Sequence, residues 1–284
     1  MILSSASVNT WNLSGAGLPV WWAICSALAL LGYGVAACLS DTPAARLRRV
    51  LLLAWSAHAL AIFFDISGLS SAEVGVAFLG ARFGFAPALS VTVWLVLSVY
   101  LFEGYFLPIS GVRRGLVILG ATSVALAWLF PGEVRPQAMS PWQPLHWVLG
   151  IASYGLFGAA LLHGALLRRA DRQMRLHDAL PPFLGLPLLK LEQLTFRFVA
   201  WGFAVLTVAL LLGWWFAQPW RWDHKAVLSI LAWLVFATLL LGRQTLGWRG
   251  PVATRCLFVG VGLLLLAYVG SRFVLEVILQ RASL

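Results

Sequence analysis

Charged side chains are scarce in this chain, and acidic ones are the scarcest. Only 11% of the 284 residues are charged, 61% are hydrophobic, and ten acidic residues stand against twenty basic ones. This composition excludes a soluble globular domain, in which about 25% of the residues are charged. Several apolar runs reach the roughly 20 residues that a helix needs to cross a bilayer. The sequence therefore predicts an all-α, polytopic integral membrane protein.

Cysteine is also rare, and its three copies lie far apart. Cys25, Cys38 and Cys256 form no CxxC pair, so the sequence indicates neither a disulfide framework nor a zinc site. It also lacks a paired nucleophile and base, a phosphate-binding loop and the spacing of a metal hydrolase, so no enzyme of these kinds is predicted. No basic residue precedes Arg46, which argues against a secretory signal peptide. The first apolar run is therefore interpreted as a membrane helix.

Eight apolar segments are separated by breaks rich in proline, glycine and charge, and they predict one transmembrane domain over residues 1–284. An amphipathic stretch near 188–198 predicts a helix at the inner interface that runs into the sixth segment. The predicted membrane helices cover approximately residues 20–39, 50–66, 84–107, 115–131, 145–167, 198–217, 225–241 and 256–279.

Basic residues are distributed unevenly over the breaks between these segments. With the N-terminus outside, fourteen of the twenty Lys and Arg residues fall on the inner side, and such a bias fixes the orientation of multi-pass proteins. Both termini are therefore predicted to be outside. The positive charge serves orientation and contact with membrane lipids, so nucleic acid is not expected as a partner. The outer set is Arg82, Arg135, Arg221, Lys225, Arg272 and Arg281.

The fifteen tryptophans are also unevenly placed, although an interfacial belt ordinarily occupies both membrane faces. Only Trp201 and Trp248 lie clearly toward the inner face. This asymmetry favours an outer aromatic surface that holds a ligand. The tryptophans at or near the outer face are Trp11, Trp21, Trp22, Trp128, Trp142, Trp147, Trp214, Trp215, Trp220 and Trp222.

A flat apolar macrocycle with anionic tails would suit such a surface, because it can stack on indole faces and pair its carboxylates with basic side chains. Arg221, Lys225 and Arg135 are the predicted partners of those carboxylates. Haem has this chemistry, and it needs axial ligands, for which histidine is the usual residue. The sequence therefore predicts a site for haem b, which would be held either as a cofactor or as a cargo.

Five histidines could supply iron ligands. His146 and His224 lie at the outer boundary, whereas His177 falls in an inner loop and is predicted to be solvated. His58 and His163 are predicted at similar depths, about 13 Å and 7 Å from the inner edge, close enough for neighbouring helices to share a ligand. The alternative for each buried histidine is a hydrogen bond to a neighbouring helix. An ion pair is predicted between two further residues four positions apart, Arg272 and Glu276.

Two segments resemble the cytochrome c assembly family of haem-handling membrane proteins (CcsA/CcmC/HemX-like), and in particular its short HemX/YpjD-type branch. "PWRWDHK" is similar to the tryptophan-rich loop of that family, with matches at Trp220, Trp222, Asp223 and Lys225. "LHWVLGIASYGLFGAALLHGALL" resembles the helix that carries an outer histidine, here His146. His58 also falls where the family carries a histidine in an early helix. The resemblance covers approximately residues 50–280.

The chain also departs from the family pattern. The W-G-x-x-W segment before the loop is missing, and so is the second outer histidine near the C-terminus, for which His224 is the available substitute. The resemblance implies a bacterial inner-membrane protein that binds or moves haem and assists cytochrome c biogenesis or regulates haem supply. Its implied partners are haem and cytochrome c assembly components or apocytochrome, with at most an accessory role in haem attachment.

Two alternatives to haem handling stay open at this point. The first is a transporter of small ions or metabolites, in which His58, Glu103 and His163 would line a polar path; no inverted repeat is visible in the sequence to support it. The second is an assembly factor that binds a partner protein and no cofactor. In the haem reading, Asp223 is predicted to order the loop by capping the seventh helix.

Overall fold

The computed structural model describes residues 20–39, 44–67, 81–103, 112–135, 142–175, 188–216 and 222–279. These residues are helical apart from two short strands, β1 (Ala81–Phe83) and β2 (Glu133–Arg135). The helices are α1 (Val20–Cys38), α2 (Ala44–Ser67), α3 (Phe85–Glu103), α4 (Arg113–Leu129), α5 (Trp142–Arg175), α6 (Leu188–Phe216), α7 (His224–Thr245), α8 (Gly250–Leu265) and α9 (Ser271–Phe273). A π-helical turn, Leu266–Gly270, joins α8 to α9, and a second one, Val274–Ile278, follows α9.

Each of the eight predicted segments is a helix, so the predicted fold class is confirmed. Among the described residues, seven helical segments are long and apolar enough to cross a membrane, the last of them running from Gly250 to Ile278. We call this last helical segment the C-terminal helix. The remaining segment, α4, has 17 residues, which is the lower limit for a span.

Helix α4 runs antiparallel to α1 along the full length of that helix. At one end the rings of Trp22 and Trp128 lie 5.6 Å apart. At the other end Arg113 Nη2 donates to the carbonyl of Leu39 at 2.8 Å. Because α1 has 19 residues and α4 reaches both of its ends, the two helices extend through the same depth of the bundle.

The two strands form an antiparallel ribbon that marks one end of the bundle. Ala81 pairs with Arg135, and Phe83 pairs with Glu133, so the end of α2 and the end of α4 meet there. The C-terminal helix ends at the same place, because Glu276 Oε2 accepts a hydrogen bond from the Phe85 amide at 3.4 Å. We call this the ribbon end, and the opposite end, where α5 passes Arg168, the arginine end.

Helices α5 and α6 are longer than predicted, because both continue past the arginine end of the apolar core. Helix α5 has 34 residues, about 51 Å at 1.5 Å per residue, whereas a bilayer core is about 30 Å thick. Helix α6 has 29 residues and starts at Leu188, so the predicted interfacial helix is its first three turns. Glu192 in that extension pairs with Arg243 at 2.9 Å, which holds the start of α6 against the end of α7.

Buried side chains form two main clusters, one in each half of the bundle. The first half, α1 to α4, packs around Tyr33 and Leu97. The second half, α5 to the C-terminal helix, packs around the stacked rings of Phe157 and Phe236, whose centroids lie 3.9 Å apart. Helices α3 and α5 join the two halves.

The Phe236 ring lies directly against the backbone of Gly260. A Cβ at Gly260 would lie 2.6 Å from the ring, whereas a Cβ at Gly262 on the same helix would meet nothing within 4 Å. We expect Gly260→Ala to lower the free energy of unfolding by about 1–3 kcal/mol through overpacking. Gly262→Ala should leave it equal or higher. Denaturation in mixed micelles measures both, and equal stabilities would contradict this packing.

Candidate functional site

A cavity of about 640 Å³ opens at the ribbon end between the two halves of the bundle. Its size is typical of ligand sites, which range from about 300 to 1,000 Å³. Small residues line its walls on both sides, and their short side chains leave the space between the helices unfilled. These small residues are Gly84, Ala88, Gly150, Ser153, Ala209 and Ala267.

His146 lies in the wall of this cavity, near the start of α5. Its Nδ1 bonds to the carbonyl of Ala209 on α6 at 2.9 Å, and since a carbonyl only accepts, Nδ1 carries the proton. The lone pair is then on Nε2, the arrangement of a histidine that ligates a metal. Gly213, one turn along α6, makes room for the ring, because a Cβ there would lie 2.9 Å from His146 Cε1.

Buried positive charge lines the same cavity. Arg272 is only 2% exposed, and its Nη1 lies 3.9 Å from Glu276 Oε1, so the predicted pair forms at long range. Within the described part of the chain, Arg272 Nε and Arg82 Nε are buried and make no hydrogen bond. Burial lowers the pKa of the Arg82 guanidinium, and the charge of Asp65 opposes that shift.

The lining residues of the cavity have an excess of cations. Three basic residues, Arg82, Lys225 and Arg272, face one carboxylate, Asp65, among the residues that the structure describes. Buried N–H groups without an acceptor carry a desolvation cost of about 1–3 kcal/mol each, and more when charged. An anionic ligand would relieve that cost, so the cavity is suited to carboxylates.

The two described residues before α7, Trp222 and Asp223, lie at the same end of the bundle. Trp222 is 73% exposed, and Asp223 after it accepts a hydrogen bond from the Ala226 amide at 2.8 Å. This is the predicted N-cap of α7, and it is confirmed. Trp220 and Arg221 lie outside the described residues. Lys225 lines the cavity, whereas His224 is an exposed residue of the first turn of α7.

His58 is buried, and both of its ring nitrogens form hydrogen bonds. Its Nδ1 lies 3.2 Å from the Tyr33 hydroxyl, and its Nε2 lies 2.8 Å from Ser90 Oγ. Ser90 itself lines the cavity. His58 therefore reaches the cavity through Ser90, and its hydrogen bonds are those of the alternative predicted for a buried histidine.

His163 forms a separate site toward the arginine end. Its Nδ1 bonds to the carbonyl of Ala159 and its Nε2 to Glu103 Oε2, both at 2.8 Å. The partners of the two histidines, Ser90 and Glu103, are 13 positions apart on α3, which is about 20 Å. The prediction that His58 and His163 share a ligand is therefore wrong. The predicted depths were counted from Arg49 for His58 and from Arg168 for His163, and these two arginines do not lie at the same level of the bundle.

Sequence reasoning missed most of the charged lining of the cavity. Arg82, Asp65 and Ser90 were not among the predicted ligand contacts, and Arg272 was predicted only as the partner of Glu276. The available signal was the position of Asp65 and Arg272 inside apolar runs, since ionisable residues at membrane depth indicate a functional site. The predicted carboxylate partner Arg135 lies in β2.

The family described as Cytochrome C assembly protein matches residues 44–279. Cytochrome c biogenesis protein CcsA of Prochlorococcus marinus is 25% identical over 226 residues, which are 66% of this chain and 70% of that protein. Inner membrane protein YpjD of Escherichia coli is 31% identical over 165 residues, or 55% of this chain and 61% of that protein.

The match to CcsA of Synechococcus elongatus is shorter, with 31% identity over 123 residues, or 42% of this chain and 34% of that protein. The chain thus spans between about a third and 70% of these relatives. No solved structure matches it. The seven apolar helices and the inner-membrane relative identify a multi-pass inner-membrane protein. Because the match to the family takes in every helix from α2 to the C-terminal helix, this chain belongs to the cytochrome c assembly protein family.

Proposed function

We propose that this protein binds haem in the ribbon-end cavity and thereby assists cytochrome c biogenesis or regulates haem supply. In the proposed orientation the ribbon end faces outward from the inner membrane. The observation that carries the proposal is one cavity of about 640 Å³ that combines His146, whose Nδ1 is bonded to a carbonyl, with buried arginine N–H groups that make no hydrogen bond.

Each part of the site has a role in this proposal. His146 Nε2 would hold the iron, and the Ala209 carbonyl orients the ring. Arg272, Arg82 and Lys225 would pair with the two propionates. Trp222, together with Trp220, would stack on the macrocycle, and the Asp223 cap fixes the start of α7. Arg221 and Arg135 stay candidates for propionate contacts, and His224, two positions after Trp222, for a second iron ligand.

The residues of the cavity match the chemistry of a non-covalently held, b-type haem. Such a haem supplies a flat apolar ring, two carboxylates and an iron that accepts imidazole nitrogen. Apolar and small side chains form most of the cavity wall, and water is excluded where Arg272 is buried. The propionates would give the buried guanidinium groups the acceptors that they lack within the described part of the chain.

The proposal is tested by haem titration of the purified full-length protein in detergent, followed in the Soret region. We expect His146→Ala to lower the affinity by more than the roughly 10–100-fold that loss of a supporting contact costs, and to shift the Soret band. The control is His177→Ala, which removes a histidine that lies between α5 and α6 in the sequence. This variant should bind haem like the parent. No Soret band in the parent would contradict the proposal and favour the transporter or a cofactor-free assembly factor.

A further inference from the structure

A second cleft, at the arginine end, is separate from the proposed haem site. It has a volume of about 930 Å³ and lies between the end of α5, the start of α6 and the start of α8. Four arginines line it: Arg168, Arg169 and Arg172 from α5, and Arg255 from α8. Neither the haem proposal nor the resemblance gives this cleft a role.

Two carboxylates, Asp171 and Glu192, line the cleft beside the four arginines, so they do not balance its positive charge. Glu192 is already paired with Arg243 at 2.9 Å and with Arg249 at 3.8 Å. Among the described residues, no carboxylate lies within ion-pair distance of Arg168, Arg172 or Arg255. The cleft therefore holds a local excess of positive charge.

Two further features concentrate positive charge within the cleft. The Arg168 guanidinium lies over the Phe258 ring, 5.3 Å from its centroid, which fixes it between α5 and α8. Helix α8 begins in the cleft with Pro251 in its first turn, and no side chain caps its first amides. A helix start of this kind adds partial positive charge. The preferred occupant is thus a phosphate-sized anion.

The surface next to the cleft indicates what the anion is attached to. Along α8, Val259 and Leu266 follow Arg255 at four and eleven positions, so the three residues share one helix face. Val259 and Leu266 are 55% and 56% exposed, and the helix spans the membrane, so this face meets lipid chains. A phosphate seated on Arg255 would have an apolar stripe running from it toward the ribbon end.

We infer that this cleft binds the phosphate headgroup of an anionic phospholipid, with its acyl chains along the exposed face of α8. Basic pockets between membrane helices on the inner side are suited to such headgroups. In the orientation that the charge bias predicts, the arginine end faces the inner leaflet. A soluble phosphate would use the same arginines but gain nothing from Val259 and Leu266.

The test uses the full-length protein without haem, in nanodiscs of phosphatidylcholine with or without a minor fraction of cardiolipin. The matched variants are Arg172→Gln/Arg255→Gln, in the cleft, and Arg46→Gln/Arg49→Gln, which removes the same charge from exposed residues of α2. Native mass spectrometry counts the cardiolipin retained after extraction, and thermal unfolding measures the stabilisation. Inorganic phosphate in detergent is the third arm.

We expect cardiolipin to be retained by the parent and by the α2 variant, and the cleft variant to bind it roughly 10–30-fold more weakly. Inorganic phosphate should not raise the melting temperature at the same phosphate concentration. Equal retention by both variants would overturn the proposal, and so would stabilisation by inorganic phosphate alone. Haem is absent from every arm, so the outcome is independent of the ribbon-end cavity.

Discussion

Arg272→Gln is expected to weaken haem binding by about 10–100-fold while leaving the binding of haem dimethyl ester unchanged. A hydrogen bond to a charged group contributes about 1.5–3 kcal/mol, which corresponds to this range of affinity. Arg272 is buried, with Nε unbonded among the described residues. The diester has the same ring and iron but no carboxylate, so it offers the Arg272 guanidinium no anionic group to pair with.

The affinities of the parent and of Arg272→Gln, each for haem and for haem dimethyl ester, form a double-mutant cycle in which one of the two changes is made on the ligand. The parent should bind the diester at least as weakly as the variant binds haem, because the diester also loses the contacts to Arg82 and Lys225. The variant should keep only the part of the preference for haem that Arg82 and Lys225 supply. Arg272→Lys keeps the charge without the planar fork and should recover part of the loss. Soret titration gives all of these affinities. If the variant loses haem and diester equally, Arg272 supports the fold of the cavity and does not contact the propionates.

The helices were predictable because each is a long apolar run between breaks that contain charge, proline or glycine. The arginine end of α6 was predicted from its amphipathic start at Leu188, whereas the arginine end of α5 was not predictable in the same way. Hydropathy falls at Arg168, yet the backbone hydrogen bonds of α5 continue to Arg175, because a helix can leave the bilayer without ending. Boundaries inferred from apolarity therefore mark the membrane edge and miss the end of the helix.

The parts of the candidate site that depend on spacing along the sequence were predictable. The parts that depend on how a helix is rotated about its axis were not. Asp223 was identified as a cap because a cap lies at a fixed distance from the helix start. The side that Arg272 faces depends on the π-helical turn before α9. This wider turn changes the angular register of the residues that follow it, and the sequence carries no visible mark of that change.

The burial of individual tryptophans was also not predictable from the sequence. Trp22 was counted with the outer aromatic surface, but it is 1% exposed, packs on Trp128 and donates a hydrogen bond to Asp65. It is thus a core residue that also fixes one wall of the cavity. Trp214 and Trp215 are exposed at the end of α6, as the prediction has them. Sequence position alone gave the depth of these side chains, whereas burial depended on which helix lay next to them.

The pair of His163 and Glu103 is expected to respond to mutation as one unit. His163 is fully buried, and its Nε2 lies 2.8 Å from Glu103 Oε2. Removing one partner of a buried pair costs about 3–5 kcal/mol, because the other is left without compensation. We therefore expect His163→Leu and Glu103→Leu each to lower the free energy of unfolding by about that amount. The double variant should lie close to the parent, since two apolar side chains can pack together.

Unfolding in mixed micelles, followed by tryptophan fluorescence, measures the coupling between the two positions. Glu103→Gln is the control, because its amide oxygen can still accept from His163 and its loss should be smaller. Additive single effects would contradict a paired role.

The same variants decide whether His163 ligates haem iron. Both of its ring nitrogens are bonded, one to Ala159 and one to Glu103, and ligation would require Nε2 to leave Glu103. If the pair is structural, the Glu103→Leu/His163→Leu double variant should titrate with haem like the parent, because His146 and Arg272 line a different part of the bundle. Loss of the Soret band in that variant, with stability intact, would place a ligand at His163 instead.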